Sequence, residues 1–282
     1  MMKIAVTGAS GFIGRHVLRA LRTVDAVDVV AVSRTQAGNW LPDGMRHLRV
    51  DLAQAPASVY EALGRPDVLI HLAWSGLPNY DSRHHFEVEL PNGYRFLKAM
   101  VEQGLPSILC VGTCFEYGMR NGLLGESMAP APHNAYAFAK DSLRRQLLFL
   151  RDGTPFQLTW ARLFYMFGDG QPKGSLYGQF DAAVERGEHR FPMSGGEQLR
   201  DYLPVEEVAA HIVSLALRGA DAGVVNVCAG RPTSVRALVE GWALQRDWSG
   251  ELVLGQYPYP SHEPMAFWGA DAKLKRLIGK PA

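Results

Sequence analysis

The sequence is poor in cysteine, and its three cysteines, Cys110, Cys114 and Cys228, are too few for a disulfide framework. This scarcity indicates a reducing compartment. Net charge is also nearly absent: the formal charge is +1, which offers no electrostatic argument for binding nucleic acid or an anionic membrane. Long apolar runs are lacking as well, and none approaches the roughly 18 residues that span a bilayer. We therefore expect neither a nucleic-acid partner nor a membrane partner.

Metal-ligand spacing is also missing, although the chain has nine histidines. The adjacent pair His84 and His85 would point in two directions on a helix, and we predict that it lies on an exposed face. We therefore expect no metal site. The first predicted strand starts at the N-terminus, which predicts no signal peptide and a cytoplasmic location.

What the sequence does have is a glycine-rich turn, Val-Thr-Gly-Ala-Ser-Gly-Phe-Ile-Gly, directly after a short branched run. The run predicts a buried strand at 3–6, and apolar residues at helical spacing predict a helix over 12–21. A strand that turns sharply into a helix directs backbone N–H groups and the helix dipole at one spot, which suits a pyrophosphate. Gly8 would permit the turn, Gly11 would admit the phosphate, and Gly14 would let helix and strand pack closely. The alternative is a glycine turn without a ligand.

Strands and helices alternate along the chain, which predicts an α/β fold with a doubly wound parallel sheet of the Rossmann type. Further elements are predicted as strands at 27–32, 48–50, 67–73, 107–111, 156–163 and 224–227, and as helices near 57–63, 83–103 and 136–151. Glycine, proline and aromatic residues become dense after Phe164, which predicts a smaller C-terminal substrate lobe. The expected division is a dinucleotide-binding domain of residues 1–163 plus about 203–228, and a lobe of about 164–202 plus 229–282.

The end of the second strand bears on the choice of cofactor. An acidic residue there would bind the ribose hydroxyls of NAD, but the strand ends in Ser33 and Arg34. Ser33 can donate a hydrogen bond and Arg34 can pair with a 2′-phosphate, so NADP(H) is the predicted cofactor, with NAD(H) possible. The alternative is that Arg34 is a solvated loop residue. Asp51, next to Leu52, could contact the adenine amino group or simply form a turn.

Tyr136 and Lys140 are four residues apart on a predicted helix and therefore share a face. A tyrosine normally titrates near about 10, and a neighbouring ammonium favours the phenolate and lowers that pKa. Thr113 ends the fifth strand, where its hydroxyl could hold a substrate carbonyl beside Tyr136. A Y-x-x-x-K pair also arises by chance, and Thr113 could simply cap its strand. The Tyr136–Lys140 pair begins the helix that follows the fifth strand, within reach of the sheet's carboxyl edge. This position favours a catalytic set.

Together these motifs resemble the extended short-chain dehydrogenase/reductase family, which works largely on nucleotide-linked sugars. The resemblance covers nearly the whole chain and includes the turn at 7–14, the His-Leu-Ala motif at 71–73, the Arg-to-Gly segment at 162–168 and the Arg-Asp-Tyr segment within 199–209. With the residues at the end of the second strand added, the predicted dinucleotide contacts are Gly8, Ser10, Gly11, Phe12, Ile13, Gly14, Ser33, Arg34, Asp51, Leu52, Leu72, Ala73, Tyr136 and Lys140.

The resemblance also implies that Thr113, Tyr136 and Lys140 are catalytic. The substrate contacts that it implies are Thr113, Cys114, Glu116 and Arg200. Arg200 would hold the diphosphate of a nucleotide sugar, and its alternative is an ion pair with Asp201 or Glu197.

The reaction is predicted from residues that depart from one branch of that family. Sugar 4,6-dehydratases carry Asp and Glu where this chain has Cys114 and Phe115, and neither can do that proton transfer at neutral pH. Glu116 is shifted by one residue, which on an extended segment would face it the other way. We predict NADPH-dependent reduction of a nucleotide-linked keto-deoxysugar, such as a dTDP-, GDP- or CDP-4-keto-6-deoxyhexose. The alternatives are a nucleotide-sugar 4-epimerase with bound NAD and a non-catalytic dinucleotide-binding sensor.

Two further expectations concern surfaces. Relatives of this kind commonly dimerise through the helices here near 83–103 and 136–151, so a homodimer is expected.

Tyr165, Phe180 and Tyr202 could contact the base or sugar, or could belong to an aromatic core.

Overall fold

The computed structural model describes residues 1–259 and 263–279. Its strands are β1 (Met2–Thr7), β2 (Val27–Ser33), β3 (Arg46–Arg49), β4 (Val68–His71), β5 (Ser107–Thr113), β6 (Gly122–Leu124), β7 (Gln157–Leu163), β8 (Tyr165–Phe167), β9 (Arg190–Pro192), β10 (Leu199–Arg200), β11 (Tyr202–Pro204), β12 (Gly223–Val227), β13 (Thr233–Ser234), β14 (Glu251–Val253) and β15 (Phe267–Gly269). Its α-helices are α1 (Phe12–Arg22), α2 (Val59–Ala62), α3 (Leu90–Glu102), α4 (Ala135–Gly153), α5 (Leu176–Glu185), α6 (Val205–Leu217), α7 (Val235–Gln245) and α8 (Ala272–Ile278). Short helical turns lie at Leu52–Gln54, His85–Glu89 and Cys114–Tyr117.

A seven-stranded sheet in the order β12-β7-β5-β4-β1-β2-β3 forms the centre of the molecule. Every neighbouring pair in it is parallel. The strand order reverses direction between β1 and β4, and ligands of such sheets bind in the crevice at that switch point. The predicted doubly wound α/β fold is confirmed.

Two apolar cores lie on opposite faces of this sheet. Val6 packs with Leu18 of α1 and Ile212 of α6, whereas its neighbour Ala5 packs with Phe96 of α3 and Leu143 of α4. Successive residues of a strand point to opposite faces, so a strand that is covered on both sides must be apolar throughout. This is why the central residues of β1, β4 and β5, at 4–6, 68–70 and 108–112, are apolar without alternation.

Two predicted elements end differently in the structure. The fourth strand stops at His71, and the next residue, Leu72, still donates its N–H to the Thr7 carbonyl at the end of β1, at 3.2 Å. The helix predicted over 83–103 has a wider π-type turn at His85–Glu89 before α3 begins. Pro91 lies in the first turn of α3, and a proline lacks the N–H that a continuous α-helix would require there.

Four short strand pairs lie outside the central sheet. β8 pairs with β11, β9 with β14, β10 with β13, and β6 with β15. Phe180, Phe191 and Trp242 belong to a buried core separate from the two at the central sheet, which makes Phe180 a core residue. β12 joins the central sheet beside β7, where the late strand was predicted. Within residues 1–259 and 263–279, no helix combines the length and apolar character that crossing a membrane requires.

The close approach of α1 to the first turn can be tested at Gly14. A Cβ atom there would lie 2.2 Å from the Gly8 carbonyl oxygen, so we expect Gly14→Ala to lower the free energy of unfolding. Overpacking of this kind costs about 1–3 kcal/mol, measured by urea unfolding. Gly153→Ala is the control, since its Cβ would meet nothing within 4 Å. Equal stability of the two variants would contradict the close packing.

Candidate active site

The glycine turn between β1 and α1 has the shape that a phosphate cradle requires. Gly8 has a φ of +70°, and a Cβ there would lie 2.8 Å from the Ala73 nitrogen. The exposed Gly11 is the N-cap of α1 and supplies no capping side chain, so the first N–H groups of the helix open toward the crevice. These features fit a dinucleotide pyrophosphate.

The other predicted residues of this turn lie around the same cradle. Ser10, Phe12 and Ile13 are half-buried, and Ile13 packs against the core beneath α1. Leu72 and Ala73, which follow β4, are brought directly against the glycine turn. The structure therefore brings together two motifs that are some sixty residues apart in the sequence, as the 64-residue separation of Thr7 and His71 shows.

The end of β2 differs in one respect from the expectation. The Ser33 hydroxyl donates to the Thr35 carbonyl at 2.9 Å and lies 3.0 Å from His47 Nε2, so its proton is already used. The Ser33 hydroxyl is therefore engaged within the protein in this structure, and its contact with a phosphate stays a prediction. Arg34 is exposed, and Arg49 donates through Nε to the Arg34 carbonyl at 3.0 Å. Two exposed arginines thus lie at the ends of β2 and β3, and Arg49 was not anticipated.

Asp51 takes the simpler of its two predicted roles. Its Oδ1 accepts a hydrogen bond from the Ala53 N–H at 3.1 Å and caps the short turn that begins at Leu52. A contact from these residues to adenine stays a prediction.

Thr113 is the last residue of β5 and is buried at the sheet's carboxyl edge. Its Oγ1 accepts from the Phe115 N–H at 3.3 Å, while its own N–H donates to Glu116 Oε1 at 2.9 Å. This reciprocal capping box is the strand-capping role that the sequence left open. The contact uses a lone pair of the hydroxyl, and a hydroxyl can still donate its proton.

Glu116 is not a substrate contact, and that prediction is wrong. Its side chain is fully buried, and it forms an ion pair with Arg162 of β7 at 2.7 Å. Trp160 Nε1 also donates to it at 3.0 Å. The short helical turn after Thr113 points the carboxylate into the protein, where Arg162 neutralises its charge.

Tyr136 and Lys140 share the inner face of α4, as their spacing predicts. Tyr136 packs in the same cluster as Cys114 and Phe115, which follow Thr113 directly. The Lys140 ammonium donates to the Val111 carbonyl of β5 at 3.0 Å and lies 5.9 Å from the centre of the Tyr136 ring. The three predicted catalytic residues therefore gather at one end of β5.

The protonation of this pair differs from the expectation that Lys140 lowers the pKa of Tyr136. Burial is the largest effect, and it raises the pKa of the Tyr136 phenol, with Tyr80 and Glu116 adding to the rise. Burial also lowers the pKa of the Lys140 ammonium. In this structure the phenol is therefore a protonated group enclosed by the protein.

His85 was misplaced by sequence reasoning and Trp74 was overlooked. His85 is fully buried instead of exposed, with its ring 5.3 Å from the ring of Tyr136. Trp74 lies 6.0 Å from the same ring. In the sequence, the only signal for either residue was its nearness to the His-Leu-Ala motif at 71–73. The spacing of residues does not reveal the tertiary contact with α4.

Arg200 is buried and is already paired. Its Nη2 and Nε donate to Glu263 Oε2 at 2.9 and 3.2 Å, so its ion pair is with neither of the expected partners. Asp201 instead accepts backbone N–H bonds from Ala229, Gly230 and Gly269. The Arg200 guanidinium also lies 4.7 Å from the ring centre of Phe267.

Aromatic side chains connect Tyr136 with Arg200. Tyr80 contacts both Tyr136 and Phe115, and Phe115 contacts Tyr165, which lies 6.0 Å from the Arg200 guanidinium. The Tyr165 hydroxyl is buried without a hydrogen-bond partner among the described residues. Cys114, within the same cluster, is buried, and burial raises the pKa of its thiol, so it stays protonated.

A comparison of sequences decides the family. A model of the NAD dependent epimerase/dehydratase family matches residues 4–228. The chain belongs to that family. This membership confirms the predicted resemblance and the expectation of an enzyme that uses a nicotinamide dinucleotide.

Proteins whose names refer to nucleotide sugars are similar over most of the chain. The dTDP-6-deoxy-L-talose 4-dehydrogenase (NAD(+)) of Aggregatibacter actinomycetemcomitans is 27% identical, and the match covers 95% of this chain and 100% of that protein. The GDP-6-deoxy-D-mannose reductase of Pseudomonas aeruginosa is 25% identical, with 84% and 78% covered. The solved structure of MoeE5 in complex with UDP-glucuronic acid and NAD has a TM-score of 0.81 at 26% identity, with 98% of this chain and 92% of that chain covered.

The buried ion pair beneath β5 predicts a large effect on stability. Glu116→Gln leaves the Arg162 guanidinium buried without its counter-charge, which should lower the free energy of unfolding by about 3–5 kcal/mol. The measurement is urea unfolding. Glu61→Gln is the control, because its pair with Arg65 is exposed and should contribute almost nothing. Equal effects in the two variants would be incompatible with a structural role for Glu116.

Proposed function

We propose that this protein catalyses the NADPH-dependent reduction of a nucleotide-linked 4-keto-6-deoxyhexose, such as a dTDP-, GDP- or CDP-sugar. The observation that carries the proposal is the gathering of Thr113, Tyr136 and Lys140 at the carboxyl end of β5, one strand away from the β1–β4 crevice. The names of the two relatives, a 4-dehydrogenase and a reductase of deoxysugar nucleotides, support the same substrate class.

In this proposal the bound dinucleotide supplies the hydride for the ketone. Tyr136 donates the proton to the alkoxide that develops on the sugar, as a general acid. The raised pKa of Tyr136 keeps the phenol protonated at neutral pH, which a proton donor requires. The Lys140 ammonium offsets the charge of the phenolate as it forms, and the Thr113 hydroxyl donates to the carbonyl oxygen.

Arg200 is proposed to hold the diphosphate of the substrate. Its guanidinium is fixed by the carbonyls of Leu199 and Met265 and bonds to a single oxygen of Glu263. A phosphate oxygen could replace that carboxylate oxygen, since both accept charge-assisted hydrogen bonds from arginine. The partnerless Tyr165 hydroxyl nearby supplies a further polar atom for the sugar.

The preference for NADP(H) over NAD(H) is proposed from the end of β2. No acid is present there, whereas the exposed Arg34 and Arg49 border the edge where a 2′-phosphate would lie. One relative has NAD(+) in its name, and that name describes the cofactor of the relative and not the cofactor of this chain. The proposal therefore depends on the two arginines of this chain.

A homodimer, a cytoplasmic location and a two-part division of the chain complete the proposal. Phe86 forms an exposed aromatic contact with Phe138 of α4. Val88 and Phe149, the latter also in α4, are exposed as well. This apolar face supports the proposed association through α3 and α4. The division proposed is 1–163 plus about 203–228 for the dinucleotide and about 164–202 plus 229–282 for the substrate.

Cofactor choice can be tested by fluorescence titration with NADPH and NADH. We expect wild-type protein to bind NADPH more tightly, and Arg34→Leu to weaken NADPH binding by about 10-fold or more, the loss of one charge-assisted bond. NADH binding should change little. Arg22→Leu, an exposed arginine at the far end of α1, is the control. Equal or tighter NADH binding by wild type would end the NADP(H) assignment.

The proton donor can be tested with NADPH and a panel of dTDP-, GDP- and CDP-linked 4-keto-6-deoxyhexoses. Tyr136→Phe should keep its fold and dinucleotide affinity but lose at least about 10²-fold in turnover, the usual contribution of general acid catalysis. Tyr60→Phe is the control. Tyr60 lies in α2 beside Gly104, which precedes β5, whereas the candidate site lies where β5 ends. Near-normal turnover of Tyr136→Phe would remove this residue from the mechanism.

The same assay separates the proposed reductase from its alternatives. Interconversion of sugar epimers without added cofactor would instead indicate an epimerase with bound NAD. Dinucleotide binding without turnover of any keto-sugar would indicate a sensor.

A further inference from the structure

Trp74, three residues after the end of β4, contacts the candidate acid and its lysine. The Lys140 ammonium lies over the indole ring, 4.0 Å from its centre. On another side the same ammonium donates to the Val111 carbonyl at 3.0 Å. An ammonium over the face of a tryptophan is attracted by the ring's quadrupole, and tryptophan is the best aromatic partner for a cation. The indole is thus a direct neighbour of the only buried lysine among the described residues.

Hydrogen bonds fix the orientation of this indole. Trp74 Nε1–H donates to His85 Nδ1 at 3.1 Å, and His85 Nε2 lies 2.7 Å from the Asn79 carbonyl. An indole nitrogen only donates, so His85 Nδ1 is the acceptor, and His85 Nε2–H donates a hydrogen bond to the Asn79 carbonyl. Both imidazole nitrogens are therefore engaged within the protein. His85 holds the indole and is not a proton relay for Tyr136.

The surroundings of Lys140 explain why an extra contact matters. Burial lowers the pKa of the Lys140 ammonium more than any neighbouring charge raises it. The titratable groups around it come from several elements: His71 of β4, Glu89 before α3, Cys110 of β5, Glu116 after β5, and Tyr136 of α4. His71 is neutral, because burial lowers its pKa to about 3, and Glu116 is already paired with Arg162.

We propose that Trp74 is a positioning residue for Lys140: the face of its indole, held by His85, keeps the ammonium in place and charged beside Tyr136. The proposal deepens the proposed function, on which it rests for its catalytic meaning. Its physical content, a cation stabilised by an oriented indole, can be measured without any substrate. Loss of the aromatic face should make Lys140 lose its proton at lower pH.

The direct test is a pH titration of Lys140 by NMR in full-length protein labelled with ¹³C at lysine Cε, with the signal assigned by its absence in Lys140→Met. We compare wild type, Trp74→Phe and Trp74→Met. The Met side chain keeps apolar bulk without an aromatic face, so we expect the Lys140 pKa to fall by about one unit. Trp74→Phe keeps a face but loses the N–H bond to His85, and its shift should be smaller. Trp248→Met is the control and should cause no shift, because Trp248 is half-buried against the separate core of Phe180 and Trp242.

A lysine pKa in Trp74→Met equal to or above that of wild type would overturn the proposal. If Trp74→Met does not fold, Trp74→Phe decides, and an unchanged or raised Lys140 pKa there would also overturn it. The second readout is the pH profile of NADPH oxidation with dTDP-4-keto-6-deoxyglucose. Its high-pH decline should move to lower pH in Trp74→Met, whereas a purely structural role would lower the rate equally at every pH. Failure of all variants and wild type to turn over any keto-sugar would defeat the proposed function alone, because the NMR titration still judges Trp74.

Discussion

The candidate site depends on a charge that never meets solvent, the buried carboxylate of Glu116. A buried carboxylate is stable only when it is paired and fully hydrogen-bonded, and its pair with Arg162 joins β5 to β7. The same carboxylate accepts a hydrogen bond from the Thr113 N–H, so it also fixes the backbone of the last residue of β5. Gly112 must be a glycine here, because a Cβ would lie 2.2 Å from Glu116 Oε1. The edge on which chemistry can occur is therefore set by a polar network inside the sheet.

Above this network, burial controls the protonation of the candidate acid and its lysine. The phenol of Tyr136 is kept neutral, and the ammonium of Lys140 is destabilised by its own desolvation. A cation in such a place persists only if dipoles and aromatic faces replace the lost water. The Val111 carbonyl and the Trp74 indole do so here. A buried, neutral phenol beside a supported cation is suited to giving a proton and then tolerating the negative charge that remains.

Sequence reasoning predicted the parts of the site that depend on local rules. The glycine turn, the strands around it and the shared face of Tyr136 and Lys140 follow from steric limits and from the helical period. It misplaced the parts that depend on the path of the chain between elements. Glu116 was assigned to the substrate, whereas the helical turn after Thr113 directs its carboxylate to Arg162 inside the protein. His85 was assigned to the surface, although the loop that begins at Trp74 folds it under α4.

The sequence by itself determined the doubly wound sheet, the position of the cradle at its first turn and the order in which the reactive residues follow one another. These features arise from the alternation of apolar runs, the spacing of glycines and the residues per helical turn, all of which act over a few neighbours. Only the tertiary structure decided which charges meet: Glu116 with Arg162, Arg200 with Glu263, and Lys140 with the face of Trp74. Such pairs join residues that are distant in the chain, and desolvation acts on them only once the sheet and its covering helices have closed around them.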